Sequence, residues 1–247
     1  MKISSKEYER FSKQIILKKF GIIGQQKLKS SRVLILGMGG LGCPLSLYLA
    51  SLGVGTIGIV DDDKVELSNL NRQIIYNIND LGKYKVNVAK VKIKKINNRL
   101  NVKSFKIRIN KKNVEKLIKN FDIICDGTDN FETRLLVNDY TLKQKKILIS
   151  AAVSGFDGHL FKFDFRKKTP CYRCFMPEIP DNNINCDVEG VIPTITGIMG
   201  TLQANEVLNS ILNFNSDLEK KMIIFNSIKM SFRNVSLSKN KNCHNKC

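Results

Sequence analysis

The sequence is short of acid. Its 41 lysines and arginines face only 22 aspartates and glutamates, a formal charge of +19 over 247 residues. No uninterrupted apolar run approaches the roughly 20 residues that a membrane-spanning helix needs, so a helical membrane protein is excluded. Met1–Arg10 is charged and polar and has none of the apolar core of a secretory leader, which makes the cytoplasm the expected compartment. No Walker A pattern occurs, so the chain is not a P-loop nucleotidase. No helix-turn-helix, zinc-finger or RNA-binding aromatic signature accompanies the positive charge. The basic residues are mostly lysines among asparagines, as in Lys90–Lys95 and Lys239–Lys246. A solvated, lysine-biased surface accounts for them without nucleic acid, and it would still attract an acidic protein partner. Seven cysteines, an odd number behind no leader, argue against a disulfide framework.

What is present is an ordinary 43% hydrophobic content, enough for a sizeable core, arranged in alternating periods. Lys6–Leu17 and Gly24–Lys29 read as short helices. Arg32–Leu36 (RVLIL) suits a strand buried on both faces. A helix over Leu41–Leu52 and a strand over Thr56–Val60 follow. Lys85–Asn98 places Val86, Ala89, Ile93 and Ile96 at helical spacing. Ser104–Ile109 alternates like a strand, Val114–Asn120 reads as a helix and Phe121–Cys125 as another buried strand. Glu132–Lys143 and Lys146–Ala151 read as helix and strand. This order predicts an α/β fold with a mainly parallel sheet and helices on both faces. Beyond Gly155, Gly158–Phe165 and parts of Met222–Leu237 alternate like antiparallel strands that continue the sheet. Between them lie a polar loop, Pro177–Asn185, and an apolar helix from about Thr194 to Leu212. One domain over residues 1–247 is the simplest organisation.

Gly37-Met38-Gly39-Gly40-Leu41-Gly42 has GxGxxG spacing between a predicted strand and a predicted helix. Glycines there allow a sharp turn and close approach to a phosphate, and the helix N-terminus favours negative charge. Asp61, ending the next strand, suits ribose hydroxyls. An adenine nucleotide is the expectation from these features alone, with a glycine-rich packing turn as the plainer alternative and a dinucleotide dehydrogenase as the rival. Ser68, Asn69 and Arg72 come soon after, Lys85 opens a helix, and Asp129-Asn130 follows the FDIIC strand at its carboxyl end, the edge where open α/β sheets bind ligands. Each has a plainer alternative: Lys85 is one lysine of many, Arg72 can be a surface residue, and Asp129-Asn130 can cap the next helix. Cys171-Tyr172-Arg173-Cys174 is either a redox pair or half of a metal site. Cys243 and Cys247 supply a second pair for a closed, structural Zn²⁺ tetrahedron, with His244 as a competing ligand. Cys43 and Cys125 read as buried apolar residues, and His159, beginning a strand, as structural.

Together, GMGGLG, Asp61-Asp62-Asp63-Lys64-Val65-Glu66-Leu67-Ser68-Asn69-Leu70-Asn71-Arg72-Gln73, Lys85, Gly127-Thr128-Asp129-Asn130 and Pro170-Cys171-Tyr172-Arg173-Cys174 resemble the ThiF/MoeB/HesA family, bacterial relatives of the ubiquitin-activating enzymes. The resemblance runs from about Tyr8 to Cys247. It implies a Rossmann-like fold: N-terminal helices over 1–30, a nucleotide-binding half over 31–155, and a carrier-binding half with a zinc-bound tail over 156–247. It also implies ATP-dependent adenylation of the C-terminal glycine of a ubiquitin-like sulfur carrier ending in Gly-Gly, of the MoaD or ThiS kind. Gly40 would approach ATP through its backbone, Asp61 would hold the ribose, and Asn69, Arg72 and Lys85 would bind the triphosphate, with Gly37, Gly39, Gly42, Asp63 and Ser68 among the nucleotide-binding residues. Asp129 would bind Mg²⁺, with Asn130 lining the site. The family's second cysteine pair is CxxC; here the spacing is one residue longer. Cys186 matches a cysteine that in some members bonds the activated carrier, and as an idle thiol it would do nothing. Where the family carries Arg-Gln in the N-terminal helix and reaches the neighbouring subunit's nucleotide, this chain has Lys13-Gln14, which keeps the charge and loses the planar fork. A homodimer follows from that role. With no rhodanese-like segment in the sequence, a separate sulfur donor is expected. A dinucleotide dehydrogenase and a non-catalytic relative are the rival readings. The molybdopterin and thiamine pathways stay open, with the first slightly favoured.

Overall fold

In the computed structural model the described residues are 2–177, 190–245 and 247. They build one eight-stranded sheet in the order β3-β2-β1-β4-β5-β6-β7-β8. The strands are β1 (Arg32–Leu36), β2 (Thr56–Val60), β3 (Asn101–Phe105), β4 (Ile123–Asp126), β5 (Ile147–Ser154), β6 (Asp157–Asp164), β7 (Lys221–Asn226) and β8 (Ser231–Ser236). From β3 to β5 all pairs are parallel, and β6, β7 and β8 join antiparallel. The helices are α1 (Ser5–Ile15), α2 (Gly21–Ser30), α3 (Gly42–Leu52), α4 (Lys85–Ile96), α5 (Val114–Ile118), α6 (Phe131–Lys143), α7 (Tyr172–Phe175) and α8 (Pro193–Leu212). No helix among the described residues is long and apolar enough to cross a membrane.

The continuous apolar run of β1 is explained by burial on both faces. Val33 and Ile35 belong to the core beneath α1, α3, α4 and α8, while Leu34 and Leu36 belong to the core beneath α5, α6 and α7. Side chains alternate across a strand, so a five-residue strand feeds both layers. At the N-terminus Ser4 and Glu7 form a reciprocal capping box that starts α1. Pro193 occupies the first turn of α8, where its missing N–H costs nothing.

Two boundaries differ from expectation. The predicted strand Ser104–Ile109 is shifted: β3 covers Asn101–Phe105, paired residue for residue with Thr56–Val60. Pairing stops where β2 stops, because Asp61 turns into a cleft, and Ile107–Ile109 leave the sheet to line that cleft. Similarly, β4 begins at Ile123, and Phe121 instead packs its ring under Gly58, where an added Cβ would lie 2.4 Å from the ring. The short α7 around the CxxC was not expected. The other elements fall within a few residues of the sequence reading. Of the predicted polar loop Pro177–Asn185, all but Pro177 lies outside the described residues.

Candidate nucleotide cleft and thiolate cluster

A cleft of ≈ 490 Å³ opens at the carboxyl ends of β1, β2 and β4. The glycine turn forms its floor. Gly37 sits at φ +88°, a backbone state costly for any side chain, and a Cβ on Gly42 would fall 2.0 Å from the Gly37 carbonyl oxygen. Larger residues therefore cannot make this strand-to-helix turn. Tyr76 supports it from below, donating its hydroxyl to the Met38 carbonyl at 2.9 Å.

Asp61 is aimed at the turn. Its Oδ2 accepts from the Met38 amide at 2.8 Å and its Oδ1 from the Asp63 amide at 2.9 Å. Burial pushes the Asp61 carboxyl above the ordinary aspartate range, opposed by Lys85 and by these two amides. Lys85 is buried, and its Nζ meets Asp63 Oδ2 at 2.8 Å. The partner carboxylate is 64% exposed, so an incoming anion can replace it. Arg72 donates from Nη1 to the Ser68 carbonyl at 3.0 Å and to Asn71 Oδ1 at 3.2 Å. Asn69 is buried in the 3₁₀ turn Leu67–Asn69, with Oδ1 accepting from Glu66 N at 3.3 Å. Asn130 does cap α6, accepting from Thr133 N at 2.9 Å, yet it also lines the cleft beside Asp129.

The structure thus brings Gly37, Gly39, Gly40, Asp61, Asp63, Asn69, Arg72, Lys85, Asp129 and Asn130 to one cleft. Gly42 serves the turn's packing. Ser68 is exposed and outside the lining; its carbonyl positions Arg72. Lys13 is exposed on α1, which packs at the far end of α3 through Gln14 and the Leu52 carbonyl, away from this chain's own cleft. Cys186 lies outside the described residues.

In the layer of α6 and α7, Cys171, Cys174, Cys243 and Cys247 place their sulfurs within 4.8 Å of one another. Three separations are 3.2, 3.6 and 3.9 Å. A tetrahedron with Zn–S bonds of about 2.3 Å has edges of about 3.8 Å, so the set fits zinc. His244 is exposed and outside the cluster, so the groups brought together are the four thiols. Burial pushes the Cys171 thiol up to about 11. Asp139 ties the corner together: it binds Arg173 through Nε at 2.9 Å and Nη2 at 2.7 Å, and accepts from Asn245 Nδ2 at 2.7 Å in the tail.

A model of the ThiF family matches residues 11–245. The chain belongs to the ThiF family. Among curated relatives, the adenylyltransferase and sulfurtransferase MOCS3 of Culex quinquefasciatus is 40% identical over 96% of this chain and 54% of its own length. The probable molybdopterin-synthase adenylyltransferase of Porphyra purpurea is 41% identical over 95% of this chain and 62% of its own. The chain thus spans little more than half the length of these relatives. Among solved structures, E. coli MccB with MccA-N7isoASN superposes with a TM-score of 0.82 at 25% identity, over 96% of this chain and 75% of that one. PaaA gives 0.81 at 25%, over 97% and 76%.

Sequence reasoning missed two residues of this ThiF-family cleft, Arg134 in its lining and Asp126 behind it. Asp126 is fully buried and accepts from Ser150 Oγ at 2.7 Å, Thr128 Oγ1 at 2.6 Å and Thr128 N at 3.0 Å. Arg134 is nearly as buried, with Nε 3.6 Å from Asp126 Oδ2, and donates to the carbonyls of Thr128 at 2.6 Å and Ala151 at 3.1 Å. They hold the Gly127–Thr128–Asp129 loop. The signal was available: an aspartate directly after the apolar run Ile123–Cys125 is a buried charge in need of a cation, and α6 carries one beside Leu135.

Proposed function

We propose that this chain uses ATP to adenylate the C-terminal glycine carboxylate of a ubiquitin-like sulfur carrier. The observation that carries the reading is Lys85, a buried ammonium whose ion-pair partner among the described residues is an exposed carboxylate, at the same cleft as the glycine turn and Arg72. A dinucleotide dehydrogenase would use the turn and Asp61 and leave these cations without work. The names of the relatives support adenylyl transfer, and those of the molybdopterin branch favour a MoaD-like carrier ending in Gly-Gly.

The chemistry needs no general base, because the attacking carboxylate is already ionised near pH 7. Its oxygen forms a bond to the α-phosphorus, the bond from that phosphorus to the bridging oxygen of the β-phosphate breaks, and pyrophosphate leaves with the electron pair. The obstacle is the approach of two anions. In this reading Asp61 accepts from the ribose, the amides of the glycine turn and the N-terminus of α3 face the phosphates, and Asn69, Arg72 and Lys85 stabilise the charge that spreads onto the leaving group. Lys85 exchanges Asp63 for a phosphate oxygen as ATP enters. Asp129 offers a hard oxygen ligand suited to Mg²⁺, which when bound would neutralise phosphate oxygens. Asn130 keeps Asp129 in place from the cap of α6.

The four thiolates would hold a structural Zn²⁺ with no open position, fixing the tail to α6 and α7. Thiols kept reduced for metal suit a cytoplasmic setting. We further assign Lys13 to the cleft of a second copy in a homodimer, and the sulfur to a separate donor protein. Cys186 is the thiol available for a covalent bond to the carrier. The test is the intact mass of a MoaD-like carrier after incubation with this chain, ATP and Mg²⁺. A gain of one AMP, absent with a carrier lacking its last glycine, supports the reading; an unmodified carrier beside tight NAD(H) binding overturns it.

A further inference from the structure

A second cavity, of ≈ 320 Å³, lies at the opposite end of the strands from the nucleotide cleft. It is bounded by α1, α2, the turn Gly53–Gly55 before β2 and the turn Asn97–Leu100 before β3. A five-residue strand spans about 16 Å, so the two sites are separate. Four cations line this cavity, Lys6, Arg10, Lys29 and Arg99, against a single carboxylate, Glu7. That carboxylate is fully engaged. It accepts from the Ser4 amide and hydroxyl, each at 2.9 Å, pairs with Lys29 at 2.8 Å, and lies 3.4 Å from Arg99. Arg10 donates to the Ile96 carbonyl at the end of α4 and lies over the Phe11 ring, and neither it nor Lys6 has an ion-pair partner among the described residues. A recess with surplus positive charge and low-dielectric walls, here including Phe11 and Leu100, concentrates anions. Its volume sits at the small end of ligand cavities.

We infer that this cavity binds a compact phosphate dianion, either free or as the terminal phosphate of a small metabolite. The dianion would sit between Lys6 and Arg10 on α1 and Arg99 on the body, replacing the counter-charge that Glu7 cannot supply to all four cations. Arginine and lysine together are the donors that phosphate oxygens take best. Because two of the donors ride on α1, bound anion would also fasten that helix to the sheet. The inference stands independently of adenylation.

The test is an amide NMR titration of the full chain with inorganic phosphate and, in a second arm, ribose 5-phosphate. Gly53, Val54, Gly55 and Leu100 report the cavity; Gly37, Gly39 and Gly40 report the nucleotide cleft. Saturating shifts at the first group are expected. Lys6→Glu, and separately Arg10→Gln, should weaken that saturation roughly tenfold, the loss of one charge-assisted hydrogen bond, while shifts at the cleft keep their midpoint. Saturation by phosphate alone identifies a free anion, and saturation only by the sugar phosphate identifies a metabolite-borne one. Shifts reproduced by sodium chloride at equal ionic strength, absence of saturation in both arms, or equal midpoints in both variants and the parent would each overturn the proposal.

Discussion

At the nucleotide cleft, two cations rest on partners they can leave: Lys85 on an exposed carboxylate, Arg72 on a backbone carbonyl and a neighbouring amide. At the cysteine corner, by contrast, four sulfurs face one another, and the residues around them are locked by the Asp139 pairs. The cleft is open and ringed by unlike charges; the corner is closed and has no position for a substrate. On the proposed reading, the contrast is between groups that change partner during a reaction and groups that do not. Variants in the first should alter rate with the fold intact, and variants in the second should alter stability with the cleft intact.

The largest effect should follow Lys85→Ala. Removing a charge that stabilises the developing leaving group should lower adenylation by roughly 10²–10³-fold, with little change in melting temperature, since the remaining Asp63 is exposed. Single-turnover formation of the carrier adenylate measures the first and calorimetry the second. A full rate would remove Lys85 from the account.

Cys174→Ser should do the reverse. Zinc content, measured on the purified protein, should fall well below one per chain. A stability loss of about 2 kcal/mol would lower the melting temperature by about 4–8 °C for a domain of this size, while ATP affinity below the transition stays unchanged. Retained zinc with an impaired nucleotide site would break the proposed separation.

The smallest effect lies at α1, which belongs to neither region. Burial would raise the Glu7 carboxyl, but hydrogen bonds from Lys29 and Ser4 prevail and hold it down at about 2, from an ordinary 4.5. A depressed carboxylate stabilises the fold fully above its unfolded value. That contribution is lost as pH falls through the window from about 4.5 to about 2. Glu7→Gln should flatten the stability profile across that window, and urea titrations at several pH values would show it. A parent and variant with parallel profiles would contradict the assignment.

Much of this division was legible in the sequence. The five-residue apolar run of β1 announced a strand covered on both faces, and GMGGLG between a strand and a helix announced the turn. The paired cysteines announced the corner, although only the fold showed that the four thiols come together while His244 stays exposed. Less legible was the end of β3. The alternation in Ser104–Ile109 is real, but strand pairing is decided by the neighbour, and β2 runs out at Val60. Asp126 was legible as a charge ending a buried apolar run, but its partner Arg134 was not, because on α6 it looks like any surface charge until the sheet buries both. Lys13 stands at the far end of α3 within one copy, and the role the family pattern assigns it belongs to a second copy's cleft.

The account rests most directly on whether the cleft forms an acyl-adenylate, and exchange of labelled pyrophosphate into ATP reads that step alone. The account predicts exchange that requires the chain, Mg²⁺ and a carrier ending in Gly-Gly, and that vanishes when the terminal glycine is removed. Exchange that proceeds without any carrier, or none with MoaD-like and ThiS-like carriers alike, would contradict it.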